Sequence, residues 1–324
     1  MKLLLITSEE RRYFHVGENH LKKIRSVSKD IEVFVVPDTQ PEDVLKHALD
    51  ADIIVGFPAI LGEVIGKAKN LKWAHSFSAG VDKLLTPEIV ASPVLVSNSS
   101  GVHAIPIAEH IIAFMLLFTK RFYDTFRFQQ NKKWQRRDDL EELYGKTILI
   151  VGLGHIGTQA AKLAHCFGMH VIATNRELED KPEFVEEIKS PDQIDEMLPR
   201  ADFVVLSVPH TKETHHMFNT EKLQKMKPSA VLINIGRGGV VNENDLIAAL
   251  EQKTIRGAAL DVTEIEPLPS DSPLWGMENV ILTPHHSGTS SEYMNRAIER
   301  FCLNLQAFLK NKSLPNLVDK ERGY

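Results

Sequence analysis

The chain has 324 residues, of which 43% are hydrophobic and 25% charged, and a formal net charge of −5. That length exceeds one typical core and suits two domains, while the mild negative balance gives no electrostatic reason to expect nucleic acid or an anionic membrane as partner. Its two cysteines, Cys166 and Cys302, show neither a pairing framework nor a metal-ligand spacing, which points to a reducing, cytoplasmic compartment.

The first apolar run stops at Ile6 and charged residues 9–12 follow, so it reads as a β-strand rather than a signal peptide. Strands are expected over residues 3–7, 31–36, 53–56, 73–77 and 94–97, with helical patterns between them, as at 41–49 and 61–68. Such alternation predicts a parallel sheet covered on both faces. Residues 106–119 are apolar almost all the way round, and Pro106 suits a first helical turn, so this helix is either deeply buried or pressed against a partner. Charge and aromatics then crowd residues 120–142 (Phe122, Tyr123, Phe126, Phe128, Trp134), the composition of an arm or dimer contact rather than a core. The apolar stretch 111–118 is too short to span a bilayer.

From Thr147 the alternation restarts, with strands expected at 147–151, 170–174, 203–208, 231–235, 257–262 and 280–282. The first feeds Gly152-Leu153-Gly154-His155-Ile156-Gly157 and then a helix over 158–167. In that setting the first glycine permits a tight turn, the second lets backbone approach a pyrophosphate, and the third lets helix and strand pack closely. The helix N-terminus adds N–H groups and partial positive charge for the anion. A last helix, 292–310, carries one apolar stripe at Met294, Ile298, Phe301, Leu305 and Phe308. The fold class is therefore α/β, with two doubly wound parallel-sheet domains.

Three polar signals follow strands of the second domain, where open α/β sheets place ligands. Arg237 lies in a glycine-rich turn, Glu266 just past Ala258–Val262, and His285 after Pro284. An arginine can fork onto a carboxylate and polarise a neighbouring carbonyl. A histidine held by a carboxylate is a positioned general acid/base. These parts suit hydride transfer to a 2-keto acid.

The chain here resembles the D-isomer-specific 2-hydroxyacid dehydrogenases, nearly end to end. The resemblance is carried by Ser78-Ala79-Gly80-Val81-Asp82, Asn98-Ser99-Ser100-Gly101, Ala108-Glu109 and the Gly152–Gly157 turn. It continues in Pro209, Thr211 and Thr214, in Asn234-Ile235-Gly236-Arg237-Gly238-Gly239, in Ala259-Leu260-Asp261-Val262 and in Pro284-His285. It implies a flavodoxin-like substrate domain over 1–100 and 287–324, and a Rossmann dinucleotide-binding domain over 101–286. It further implies that His285 exchanges a proton with the keto oxygen and that Glu266 fixes its tautomer. Arg237 would bind substrate carboxylate and keto oxygen, with the Ala79 and Gly80 N–H groups on the same carboxylate. Asp261 would fix the nicotinamide carboxamide. Gly152, Gly154, His155, Ile156, Asn175, Arg176, Val208, Pro209, Thr214, Ile235, Gly236, Arg237 and His285 would line the cofactor. The helix from Pro106 would form a homodimer interface, and no metal is implied.

An NAD site places an acid about 20 residues after the glycines, on the ribose 2′-OH. Here that position is Asn175, followed by Arg176, a cation suited to a 2′-phosphate, so NADP(H) is preferred. Glu177 keeps NAD(H) open, and Asn175-Arg176-Glu177 as the start of a surface loop is the bland alternative.

Other residues admit plainer readings. His286 is a pocket or supporting residue; His215 and His216 face solvent rather than a metal. His103 is a hinge, pocket or packing residue. Cys166 sits on an apolar helix face in the core, Trp275 is a packing anchor in preference to a substrate platform, and Phe57 and Phe77 line a side-chain pocket or the core. Two further functions share this fold: a nucleotide-sensing, corepressor-like interaction protein, and a formate or phosphonate dehydrogenase. The Arg, Glu and His set disfavours the first, and no long N-terminal extension or phosphonate signal supports the second.

Overall fold

The computed structural model describes residues 1–8, 14–81, 83–178, 181–321 and 323. The charged residues 9–12 and Asp82 of the first-domain motif lie outside the described residues. The chain forms two units: Met1–His103 with Thr289–Tyr324, and Ala104–Gly288.

In the first unit, β1 (Lys2–Thr7), β2 (Glu32–Pro37), β3 (Ile53–Gly56), β4 (Trp73–Ser76) and β5 (Leu95–Ser97) make a parallel sheet in the order β2-β1-β3-β4-β5. Its helices are α1 (Glu18–Val27), α2 (Pro41–Ala48), α3 (Pro58–Val64) and α4 (Pro87–Ala91). Because successive strand residues point to opposite faces, the unbroken apolar runs serve two cores. Leu3, Leu5, Ile53, Val55 and Trp73 pack with Leu21 and Ile24 of α1 on one face. Leu4, Ile6, Ile54 and Ala74 pack with Val44, Leu61 and Val64 of α2 and α3 on the other. The helical pattern at 61–68 begins earlier than its apolar residues suggest, at Pro58, whose fixed φ suits a first turn, and it tightens into a 3-10 turn over Ile65–Lys67.

The second unit opens with α5 (Ala104–Thr119) and α6 (Phe122–Gln130). It continues with β6 (Thr147–Val151), α7 (His155–Cys166), β7 (His170–Thr174), β8 (Glu187–Lys189), α8 (Ile194–Met197) and β9 (Phe203–Leu206). α9 (Thr220–Lys225), β10 (Val231–Asn234), α10 (Glu243–Glu251), β11 (Gly257–Leu260) and β12 (Val280–Leu282) complete it. The sheet is parallel, in the order β12-β11-β10-β9-β6-β7-β8. It has one strand more than expected: β8 is an edge strand of sequence Glu-Ile-Lys, too short and too charged to be read as one. Ile107, Ile111, Phe114 and Met115 of α5 share a core with Ala160, Ala161 and Ala164 of α7. α5 is not buried all round; Ile105, Glu109 and Ala113, four residues apart, form an exposed stripe. Cys166 is also exposed, which corrects its placement in the core: it falls off the buried α7 face of Gly157, Ala160, Ala161 and Ala164.

The last helix, α11 (Tyr293–Leu309), returns to the first unit. Met294, Ile298, Phe301 and Leu305 join the Trp73 core, with Phe301 stacked on the indole at 5.3 Å between ring centroids.

Candidate active site

In the second sheet the chain leaves β6 towards β7 and β8 on one side and reaches β9, β10, β11 and β12 on the other. The glycine turn after β6 therefore sits where the strand order reverses. Gly152 has φ +96°, a left-handed conformation, and a Cβ there would come within 2.8 Å of Val208. A Cβ on Gly157 would lie 2.1 Å from the carbonyl oxygen of Gly152, so only glycine lets α7 start this close to the strand. Gly154 is the N-cap of α7, supplies no side-chain acceptor to the first turn, and a Cβ there would meet nothing within 4 Å. This open side next to the helix N-terminus fits an incoming phosphate. His155 is exposed and Ile156 half-buried at the start of the same turn. Asn175 follows β7; its backbone N–H donates to the carbonyl of Lys189 and its side-chain amide to that of Glu177 at 2.9 Å. Arg176 beside it is exposed.

All strands being parallel, the expected chemical residues share the same sheet edge as that turn. Arg237 follows β10 in a turn built by its neighbours: the Asn234 side chain accepts from Gly236 N–H at 3.1 Å and donates to the Arg237 carbonyl at 3.0 Å. A Cβ on Gly238 would sit 1.9 Å from the carbonyl oxygen of Thr263, so the arginine turn lies directly against the loop that carries Glu266. Thr263 N–H donates to Glu266 Oε1 at 3.3 Å, and Glu266 Oε2 lies 2.7 Å from His285 Nδ1. The imidazole is about half exposed and adopts φ +50°. Asp261, 2% exposed at the end of β11, accepts from Thr283 Oγ1, His286 N–H, and both N–H and Oγ of Ser287. Burial pushes this carboxyl up, but the donors from Ser287, Thr283 and His286 outweigh it and hold the group below its ordinary value.

Ala79 and Gly80 lie in the first unit, in the loop after β4, half-buried, with the Ala79 carbonyl accepting from the Asn98 side chain at 2.9 Å. The Asn98-Ser99 motif thereby fixes the loop from the neighbouring strand, with Ser99 N–H also donating to the Ser78 carbonyl.

The model of the D-isomer specific 2-hydroxyacid dehydrogenase NAD binding domain matches residues 112–287. The glyoxylate reductase of Thermofilum pendens is 36% identical over 301 residues, covering 90% of this chain and 89% of the relative. The chain belongs to the D-isomer specific 2-hydroxyacid dehydrogenase family. Among solved structures, a family member from Aeromonas salmonicida superposes with a TM-score of 0.86 at 30% identity, covering 98% of this chain and 99% of that one. An NADPH-dependent glyoxylate/hydroxypyruvate reductase from Sinorhizobium meliloti, in complex with NADP and sulfate, gives 0.83 at 25% identity and covers both chains in full. As a member of this family the chain is an oxidoreductase acting on CH–OH groups with a nicotinamide cofactor. None of the described helices is long and apolar enough to cross a membrane.

The remaining singled-out residues of this dehydrogenase divide into two groups. Val208 and Pro209 follow β9 on the sheet edge that carries the glycine turn, where Thr214 is buried and its hydroxyl donates to the Pro209 carbonyl at 2.6 Å. Ile235 is buried and Gly236 packs on the Val208 carbonyl. His215 is exposed, whereas His216 is half-buried with Nε2 2.6 Å from Glu264, a correction to its solvent-facing reading. Trp275 is 59% exposed, its indole N–H donating to the Pro269 carbonyl at 2.9 Å, so it is not a packing anchor. Phe77 is fully buried; Phe57 is half-buried beside it, and the rings of His103 and Tyr293 approach to 4.9 Å. Sequence reasoning missed Thr283, Ser287 and His110, whose Nε2 lies 3.2 Å from Thr283 Oγ1. Their signal is weak: a serine two residues past the histidine and a histidine beside Ala108-Glu109.

Proposed function

We propose that this dehydrogenase reduces a small 2-keto acid to the D-2-hydroxy acid with NADP(H), using His285 as general acid/base. The observation that carries this reading is the 2.7 Å contact between His285 Nδ1 and Glu266. With Nδ1–H donated to the carboxylate, proton exchange falls to Nε2, and the carboxylate stabilises the imidazolium from which the keto oxygen is protonated. The reduced nicotinamide, when bound, supplies the hydride. Arg237 binds the substrate carboxylate and polarises the keto group, and the Ala79 and Gly80 N–H groups of the first unit are assigned to substrate binding. The second unit is the dinucleotide-binding domain and the first the substrate domain. Gly152, Gly154, His155 and Ile156 hold the pyrophosphate, with Val208, Pro209, Thr214, Ile235 and Gly236 along the rest of the cofactor.

Asn175 and Arg176 support NADP(H): an amide replaces the acid that would repel a 2′-phosphate, and the adjacent guanidinium pairs with one. The Sinorhizobium relative is NADPH-dependent by its name, and the Thermofilum relative is named for glyoxylate reduction. Ile105 and Ala113 of α5, Phe122, Tyr123 and Phe126 of α6, and Trp134, 98% exposed, support a homodimer through the α5 face. Both cysteines are free thiols, as a cytoplasmic protein would keep them.

The test is a set of initial rates with glyoxylate, hydroxypyruvate, pyruvate and a branched 2-keto acid, each with NADPH and NADH. His285→Gln is expected to lower kcat about 10²–10⁴-fold while NADPH binding, read by fluorescence, persists; near-normal turnover overturns the assignment. Arg176→Ala should weaken NADPH far more than NADH, and equal losses would dismiss the 2′-phosphate reading.

A further inference from the structure

Four consecutive carbonyls where β4 runs into its loop are each tied by a protein donor. The Ser76 carbonyl accepts from Ser99 Oγ at 3.1 Å and the Ser78 carbonyl from Ser99 N–H at 3.2 Å. The Ala79 carbonyl accepts from Asn98 Nδ2 at 2.9 Å, and the Phe77 carbonyl from the hydroxyl of Tyr293 at 2.6 Å. The amides of the same stretch behave differently. Phe77 N–H donates to the Gly56 carbonyl at 2.8 Å and Ser78 N–H to Ser76 Oγ at 3.0 Å, but the next two, on half-buried Ala79 and Gly80, meet no acceptor among the described residues. Two successive N–H groups without an acceptor, on a backbone whose carbonyls are fixed, form a prepared anion site. Three of the four ties come from Asn98 and Ser99, just past β5. The fourth comes from the first residue of α11, 216 positions along the chain from its acceptor. Tyr293 is 2% exposed, with the Phe14 ring edge-on at 4.8 Å and the His103 ring at 4.9 Å. Burial pushes the phenol up, so the hydroxyl keeps its proton and stays a donor.

We propose that Tyr293 is a positioning residue for substrate binding: its hydroxyl sets the peptide between Phe77 and Ser78, so that the Ala79 and Gly80 N–H groups stand ready for the substrate carboxylate. This rests on the assignment of those two N–H groups to substrate in the proposed reaction. A carbonyl held by a donor fixes the whole plane of its peptide, and the residues that follow inherit that direction. Without the hydroxyl the buried Phe77 carbonyl loses its donor, turns towards another, and carries the loop with it. Tyr293 thus acts through the backbone, with Asn98 and Ser99 holding the carbonyls on either side.

The experiment compares the wild-type enzyme with Tyr293→Phe, which keeps the ring and removes the hydroxyl. The readouts are KM and kcat for the best 2-keto acid of the panel above, the dissociation constant of oxalate as a carboxylate probe, that of NADPH by fluorescence, and the melting temperature. KM and the oxalate constant are expected to rise together about tenfold, the scale of one buried hydrogen bond left unmade. Turnover at saturation and the NADPH constant should stay at wild-type values, because the lost binding is shared by ground and transition states. A lowered melting temperature with wild-type KM and oxalate binding would make the tyrosine a structural residue and overturn the proposal. Should Tyr293→Phe fail to fold, Asn98→Ala, which removes the tie on the Ala79 carbonyl, decides: a joint rise in KM and the oxalate constant supports the pinned loop, and wild-type values of both overturn it. A wild-type enzyme that binds oxalate but reduces no 2-keto acid sinks the proposed reaction alone, and the oxalate constants of the variants still read the role of Tyr293. One that neither reacts nor binds oxalate overturns both.

Discussion

At position 75 a histidine lies wholly inside the first unit, Nδ1 2.7 Å from Ser97 Oγ and Nε2 3.2 Å from Ser99 Oγ. Ser99 gives its own proton to the Ser76 carbonyl, so the imidazole donates from Nε2 and accepts at Nδ1 from Ser97, which satisfies the neutral ring at both ends. Desolvation pushes its pKa down to about 3. Since the unfolded chain then binds the extra proton below its ordinary value near 6.5, stability is lost as pH falls from there towards 3. At pH 5 the loss is about 2 kcal/mol relative to neutral pH, and His75→Gln should flatten it in urea titrations across that range; an unchanged pH slope would discard the argument. This partner set was not legible beforehand, because it depends on which residues the register of β4 and β5 sets side by side. Arg237, Glu266 and His285 were legible as candidates, since each follows an apolar strand in a recognisable motif. The backbone and hydroxyl donors around Asp261 were not: a carboxylate at a strand end looks the same in sequence whatever donors the fold brings to it.

At the scale of elements, apolar runs make eleven of the twelve described strands legible in the sequence, from Leu3–Ile6 to Val280–Leu282. The edge strand β8 escaped because pairing with β7 through backbone alone asks nothing of its side chains. The helix faces were harder: α7 buries only glycine and alanine, so Cys166 drew attention that its position off that face does not merit. The small buried residues of α7 have a mechanical reason, since its first turn stands against the Gly152 carbonyl. Gly157→Ala must push helix and strand apart at backbone level. We expect a stability loss of about 1–3 kcal/mol and an NADPH affinity lowered at least tenfold, read by thermal melts and fluorescence titration. A variant with wild-type affinity would show that the close approach is unrelated to cofactor binding.

At the scale of the whole molecule, each unit has its own two-faced core, and the glycine turn belongs to only one of them. Cofactor binding should therefore stabilise residues 104–288 selectively, by about 2.7 kcal/mol at a hundred times the dissociation constant. Hydrogen exchange with and without NADPH checks this; equal protection of residues 1–103 would contradict it. The exposed aromatics of α6 support the proposed homodimer, and on that proposal Phe126→Asp is expected to sediment as a monomer where the wild-type chain sediments as a dimer; a wild-type monomer would overturn it. The two-unit organisation was readable from the restart of strand–helix alternation at Thr147, but which unit α11 completes came only from resemblance. Its apolar stripe meets Trp73, more than two hundred positions earlier, and that distance has a consequence for biosynthesis. Residues 104–288 leave the ribosome as one contiguous block, whereas the N-terminal sheet emerges first, and the face that it shares with α1 stays uncovered around Trp73 until residues 289–324 are made. The oldest part of the nascent polypeptide is thus the last to mature, and a chaperone guarding it would act there longest.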